Sequence, residues 1–414
     1  MDNLSHSLFG LAAAELVHRS LAAEPDSASQ RARRRLLLFA GWAASNCPDL
    51  DLFATGLLPS PLGYLLHHRG HTHTLLYALP QALLLAGLVW LAWPGARALL
   101  RASAPARAGL SGCLGGGLAL HLGFDYLNSY GLHPFYPFDA RWLFGDLVFI
   151  VEPLFWIAFG VPLAMSLGAG RRVALLALLA AAVALGTAKG YLLWGSAAAL
   201  ALAALGLGAL GWRAGARGRA ALAAGMALAT LFVALQAGSA ALVRRELAGA
   251  LGAGPDASVL ADAALTAYPS NPLCWNVATV ERRDAAASYR VRRAVVSAAP
   301  ALLAAGACPF ALGGARAAAA HGASLPGDAR VLLVRWEHDS SLQRLRLLTR
   351  DDCRFAAWMR FARVPSIAGD SASDARFGAG ENFTTLPLRY SAFLPCPAHV
   401  PPWGMPRADL LAPP

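Results

Sequence analysis

The chain has 414 residues, of which 57% are apolar and only 14% charged, and its mean hydropathy is +0.46. That balance excludes an ordinary water-soluble globular protein and identifies an integral membrane protein. The net charge of +11 lies largely in short Arg runs between apolar segments, which fits membrane orientation and argues against nucleic acid as a stable partner.

No positively charged leader precedes a cleavable apolar stretch. The first charge is Asp2 and the first apolar run already holds His6 and Glu15, so the N-terminus is expected to be retained. Segments 7–22 and 36–52 are apolar but short, with polar ends. They either cross the bilayer or pack half-buried against the bundle. Membrane spans are expected at 75–93, 109–127, 147–168, 173–194, 197–212 and 220–242, each close to the roughly 20 residues a bilayer requires, with 197–212 short. The Ala- and Gly-rich stretch from 173 to 242 lets helices approach closely and reads as scaffold, with Lys189 snorkelling near a helix end.

After residue 243 Pro, Asp, Ser and Arg become more frequent and no run of membrane length follows. Alternating, Val- and aromatic-rich segments at 275–284, 288–297, 330–339, 356–365 and 385–393 predict antiparallel strands, with an Ala-rich helix at 298–320 packed on them. The expected fold is therefore an all-α polytopic membrane domain of about 6–8 helices followed by a smaller β-rich soluble C-terminal domain. The divisions fall at 1–170 (membrane domain with the metal site), 171–243 (additional transmembrane helices) and 244–414 (extracytoplasmic domain).

Arg placement sets an orientation. The loops at 31–35, 97–107, 171–172 and 213–219 are Arg-rich and are assigned to the cytoplasm, each separated from the next by two apolar segments. If both early segments cross, every candidate ligand falls on the extracytoplasmic face of the inner membrane, together with the C-terminal domain. Arg244 and Arg245 are the discordant charges. Cys274, Cys308, Cys353 and Cys396 form an even set in that domain, as expected for one or two disulfides in an oxidising compartment. Cys47 and Cys113 read as buried free thiols.

Four polar motifs interrupt this apolar background: DNLSH at 2–6, CPDLD at 47–51, HHRGHTH at 67–73, and His121 with Asp125. Imidazoles and carboxylates at this density are the donor set of a zinc-type site. His121 and Asp125 share one helix face, and a His/Asp pair within a membrane segment is functional by default because of its cost in lipid. His6, Asp49, His68, His73, His121 and Asp125 are the candidate ligands. Asp51 is either a bridging ligand or the base that accepts a proton from activated water. Arg69, with Arg141 in a facing loop, is the candidate for neutralising an anionic substrate. Asn128 and Asp146 are candidates for supporting the ligands from behind. Two or three divalent ions are expected, zinc first and manganese as the alternative. A cluster opening at the lipid boundary suggests a lipid or lipid-linked phosphoester.

At these residues the chain resembles the YdjM-type family of membrane-bound metal-dependent hydrolases. The resemblance rests on D-x-x-[ST]-H from Asp2 to His6, P-D-x-D at 48–51, H-R-G-x-T-H-[ST] at 68–74 and H-x-x-x-D-x-x-N-x-x-G at 121–131. It continues through Pro137-Phe138, the stretch 145–153, the Trp275 region and Asp374-Ala375-Arg376-Phe377. Ser5, His71 and Glu152 depart from the family pattern. The resemblance implies a metal-dependent hydrolase distantly related to the zinc phospholipase C and single-strand nuclease superfamily. The rival expectation is a metal-binding sensor or transporter without hydrolytic activity; transport would call for polar residues through the midplane of several helices, and 173–242 offers little beyond Thr187 and Lys189.

Overall fold

The computed structural model describes residues 1–215, 218–252, 258–283, 286–309, 330–389 and 394–412. The region before residue 253 is mostly helical. Helix α1 (Asn3–Ser20) starts at Asp2, whose carboxylate accepts the Ser5 N–H at 2.9 Å and the Ser5 hydroxyl at 2.6 Å. Helix α2 (Ser27–Asn46) is capped in the same way by Asp26. The two helices lie so close at Gly10 and Gly41 that a Cβ on either would collide with the other helix. At their Arg-bearing ends the buried Glu15 accepts from Arg19 at 2.8 Å and from Arg34 at 2.7 Å, which satisfies a carboxylate that would otherwise be isolated in the bundle.

The segment 36–52 is not one helix. α2 stops at Asn46, because Pro48 cannot donate to the ladder, and the chain tightens into a 3-10 stretch, Cys47–Leu57. After the short α3 (Leu62–His67) and a 3-10 turn, His71–His73, come α4 (Leu75–Ala92), α5 (Pro94–Ala102) and α6 (Ala104–Tyr126). The expected span 147–168 is also shorter than predicted. Only α7 (Pro153–Met165) is helical, its 13 residues reaching about 20 Å. The chain before it runs extended through Asp146, whose φ is 56°, and Glu152 caps the helix by accepting the Leu154 N–H at 3.1 Å. Next follow α8 (Ala169–Ala188), α9 (Trp194–Ala214) and α10 (Ala220–Gly252). Among the described residues four helices, α4, α8, α9 and α10, are long and apolar enough to cross a membrane. Arg217, one of the charges used for orientation, lies outside the described residues.

Beyond α10 the chain forms two antiparallel sheets. The first has the order β1 (Val259–Tyr268), β2 (Asn271–Arg283), β3 (Ser288–Ser297) and β4 (Leu332–Ser341). The second comprises β5 (Pro365–Ala368), β6 (Ser371–Asp374) and β7 (Leu386–Pro387). Three expected elements differ. Residues 298–309 hold only a 3-10 turn, Ala305–Ala307, the rest of the predicted helix 298–320 lying outside the described residues. The predicted strand 356–365 is instead the end of α12 (Cys353–Trp358) and a turn leading into β5, because Asp352 caps a helix there by accepting from Arg354 and Phe355. Of the predicted strand 385–393, only β7 is found, and 390–393 lie outside the described residues. Disulfides join Cys274 to Cys308 and Cys353 to Cys396, while Cys47 and Cys113 are free and buried.

The sheets are joined to the helical region rather than tethered beside it. Ala240, Val243 and Leu247 of α10 share a core with β1 and β2, and Leu62, Leu65 and Leu66 of α3 share one with Phe355, Trp358 and Trp403. A buried ion cluster links the regions: Arg363 donates to Asp146 at 2.8 and 2.9 Å and to Asp262 at 2.7 Å. Contacts also gather the Arg-bearing segments at the opposite end of the bundle. Arg19 reaches Ser166 at 2.6 Å and the Gly218 carbonyl, and Ser103 donates to Glu24 at 2.8 Å.

Candidate metal centre

Two turns and one helix converge at the end of the bundle beneath the sheets. The 3-10 stretch after α2 carries Asp49 and Asp51, the 68–73 loop carries His68 and His73, and α6 carries His121 and Asp125 one turn apart. His73 Nε2 stands 3.4 Å from Asp49 Oδ1 and 3.2 Å from Asp125 Oδ2; His121 Nε2 stands 3.7 and 3.5 Å from the same two atoms. Ligand atoms of Asp49, His73, His121 and Asp125 all lie within 4.8 Å of one another, and so do those of Asp49, Asp51 and His68. Asp49 belongs to both groups.

The hydrogen bonds behind these side chains decide which nitrogen faces inward. His121 Nδ1 is 2.8 Å from the Ser45 carbonyl, an acceptor only, so it carries the proton and leaves Nε2 with its lone pair directed at the cluster. His73 Nδ1 lies 3.0 Å from Asp51 Oδ2, which imposes the same tautomer. Two imidazole lone pairs then face each other across 3.1 Å, flanked by two carboxylates. Asp49 Oδ2 and Asp125 Oδ2 are buried without a hydrogen-bond partner. Such an arrangement calls for a cation, and the donor set is one that divalent metals take. The same demand shows in the protonation of His73: burial alone would push its pKa down, yet Asp125, Asp49 and Asp51 push it up to about 10.

Asp51 is engaged at both oxygens. Oδ1 is 3.1 Å from His68 Nδ1, while Oδ2 accepts from the Arg69 N–H and the Thr72 hydroxyl, each at 2.9 Å. It therefore orients both histidines of the loop. Thr72 lies within the sequence motif but carries no predicted role; its position three residues past the left-handed Arg69, φ 58°, brings its hydroxyl back onto Asp51.

Arg69 is buried, and its guanidinium is occupied within the protein. Nη2 pairs with Asp125 Oδ1 at 2.9 Å, Nη1 donates to Asn128 Oδ1 at 2.9 Å, and the plane lies 4.8 Å from the Tyr130 ring centre. Asn128 thus holds Arg69, which in turn pairs with Asp125. His6 stands beside the quartet, stacked on His121 at 4.0 Å with Nε2 3.4 Å from Asp125 Oδ1. The Met1 amine also contacts Asp125.

Two predicted residues are elsewhere. Arg141 is 81% exposed and pairs with Asp139 at 2.7 Å, so it is not brought into the cluster. Asp146 is buried but is bound by Arg363 and Arg244, where it anchors the C-terminal region rather than a ligand. His71, uncertain as a ligand, packs against Trp403 and Tyr136 with ring centres 4.9 and 5.3 Å away. No local signal marks Trp403 as a cover for this loop, since its indole donates to the Leu66 carbonyl at 2.7 Å from more than three hundred residues away.

The chain is 25% identical over 158 residues to the uncharacterized protein YfhP of Bacillus subtilis (strain 168), an alignment that takes in 38% of this chain and 44% of that protein, and so spans less than half of the relative's length. No solved structure matches the chain. The family model of the YdjM inner membrane protein matches residues 1–194, which hold every residue of the cluster. The helical region that builds this centre, residues 1–194, is therefore similar to the YdjM inner membrane protein family.

Proposed function

We propose that this protein is a membrane-bound metal-dependent hydrolase whose substrate is a phosphoester. The observation that carries this reading is the pair of imidazole lone pairs, His73 and His121, held 3.1 Å apart by Asp51 and the Ser45 carbonyl against Asp49 and Asp125. Asp49, His73, His121 and Asp125 would hold one divalent ion, with zinc as the best match to the mixed N/O set. Asp49, Asp51 and His68 would hold a second, with Asp49 common to both groups. A bound ion would lower the pKa of water to about 7 and share the charge of phosphoryl oxygens.

The protein's own groups supply the rest. Asp51 fixes the ring orientation of His68 and His73. Arg69 holds Asp125 in place and keeps a fixed positive charge at the edge of the cluster. In the overall reaction a water oxygen bonds to phosphorus, the P–O ester bond breaks, and the water proton ends on the departing alcohol.

The inner membrane location follows from the family and the four apolar helices. We place the cluster and the C-terminal sheets on the extracytoplasmic side. Two disulfides in the C-terminal region support that side, as does the gathering of Arg-bearing segments at the other end of the bundle.

The test is elemental analysis of detergent-purified protein together with hydrolysis of bis-p-nitrophenyl phosphate and a glycerophospholipid. Metal with hydrolysis supports the reading. Metal without hydrolysis of either substrate favours a sensor, and no metal removes the basis for both.

A further inference from the structure

Between the metal cluster and the first sheet lies a cavity of about 630 Å³, a size within the range that takes a drug-sized ligand or one lipid chain. Its sheet wall includes two register rows: Ala264 on β1 pairs with Ala278 on β2, which pairs with Arg293 on β3, and Thr266 pairs with Asn276. Two methyl groups stand side by side where branched residues would close the space, and both alanines are buried. The opposite wall is Val148, Phe149 and Ile150, the extended chain that leads into α7. Ile150 lines the cavity and is also exposed outside, so the wall is one residue thick there.

The cavity borders the cluster, separated from it by side chains that touch both. Tyr64 lines it and stacks on His68 at 5.1 Å; Tyr130 lines it with its ring 5.7 Å from His68; Asn128 lines it and holds Arg69. The same end of the bundle carries Phe53 at 86%, Phe138 at 88% and Trp194 at 80% exposure, large apolar rings that mark a membrane interface. A cavity beside a phosphoester-type centre, apolar along most of its wall and at the depth of the headgroups, is suited to a molecule that is part lipid and part phosphate.

Resting on the hydrolase reading above, we propose that the cavity holds an acyl chain of an anionic glycerophospholipid whose phosphate lies at the His68 side of the cluster. The C-terminal sheet is then half of the substrate site, with Ala264 and Ala278 setting the space for the chain. Burial lowers Arg293 to about 10, so it stays charged at neutral pH and disfavours a cationic headgroup nearby.

The experiment uses the full chain in nanodiscs containing phosphatidylglycerol with a diazirine on one acyl chain. After illumination, adducts are mapped by peptide mass spectrometry. Adducts on residues 264–268 or 276–278 are expected, and adducts confined to α4, α8 and α9 would overturn the proposal. In parallel, Ala264→Trp and Ala278→Trp should lose roughly tenfold or more in hydrolysis of long-chain phosphatidylglycerol while bis-p-nitrophenyl phosphate hydrolysis and metal content stay within about twofold. Equal loss on both substrates in a folded, metal-loaded variant counts against the chamber. Crosslinking needs no turnover, so adducts on the sheet without any hydrolysis would retain the chamber and sink only the hydrolase reading.

Discussion

The Nε2 atoms of His73 and His121 stand 3.1 Å apart, each with its other ring nitrogen already committed, one to Asp51 and one to the Ser45 carbonyl. With both outer nitrogens engaged, the inner pair is held together only by a cation between the lone pairs, a metal ion or the extra proton that His73 takes up in its place. This one relationship ties the 68–73 loop, the 47–57 turn and α6 into a single centre.

Stoichiometry should follow from the sharing of Asp49. Wild-type protein is expected to hold about two divalent ions, His68→Ala about one, and Asp49→Ala close to none, since structural affinity collapses when a ligand common to both groups is lost. Inductively coupled plasma analysis of each purified variant reads this directly. A His68→Ala protein that keeps both ions would remove His68 from the ligand set.

Asp51 separates orientation from proton transfer. Because Asp51 is a candidate ligand of the second ion and the partner of His68 and His73, Asp51→Asn should lose that second ion and weaken the first by about 10–100-fold, the usual scale for an outer partner of a ligating histidine. Unchanged metal affinity with a loss of turnover of about a hundredfold or more would instead assign Asp51 as the base.

Breaking the ion cluster at the junction should cost more than any surface pair. Arg363→Ala leaves Asp146 buried with only the half-exposed Arg244 and strips Asp262 of its nearer cation, so a loss of about 3–5 kcal/mol is expected. Thermal unfolding followed by tryptophan fluorescence in detergent would show it. A shift within error would mean the two regions are held together by the apolar cores alone.

The same junction predicts an acid limit. Burial would raise Asp262, but Arg363 and Arg407 override it and hold its carboxyl below the usual aspartate range. A depressed carboxylate contributes stability above its unfolded pKa, near 3.8, and loses it as pH falls through the lower folded value. Docking of the sheets should therefore be independent of pH from neutrality to about 5 and weaken below about 4. Limited proteolysis at 252–258 across that range is the measurement; constant cleavage from pH 7 to 3 would contradict it.

Topology is testable without purification. A periplasm-dependent reporter joined after residue 245 should be active and one near residue 104 inactive. Thiols of the four C-terminal cysteines should react with maleimide only after reduction. The opposite fusion pattern would put the cluster in the cytoplasm.

Much was legible in the sequence because its signals are local or compositional. Apolar runs fixed where helices form, since lipid admits little else, and the periods of 275–284 and 288–297 gave β2 and β3. The residues Asp49, His73, His121 and Asp125 could be singled out by their type alone, because isolated imidazoles and carboxylates are costly in an apolar chain. What could not be read is anything that depends on distance in space. Arg69 looked like a cation for substrate, yet folding places Asp125 and Asn128 against its fork; Asp146 looked like support for a ligand, yet its partner is Arg363 more than two hundred residues on. A guanidinium or carboxylate has the same appearance in sequence whoever its partner is. The partner, and with it the residue's role, is chosen by packing between segments far apart in the chain, and only the tertiary structure decides it.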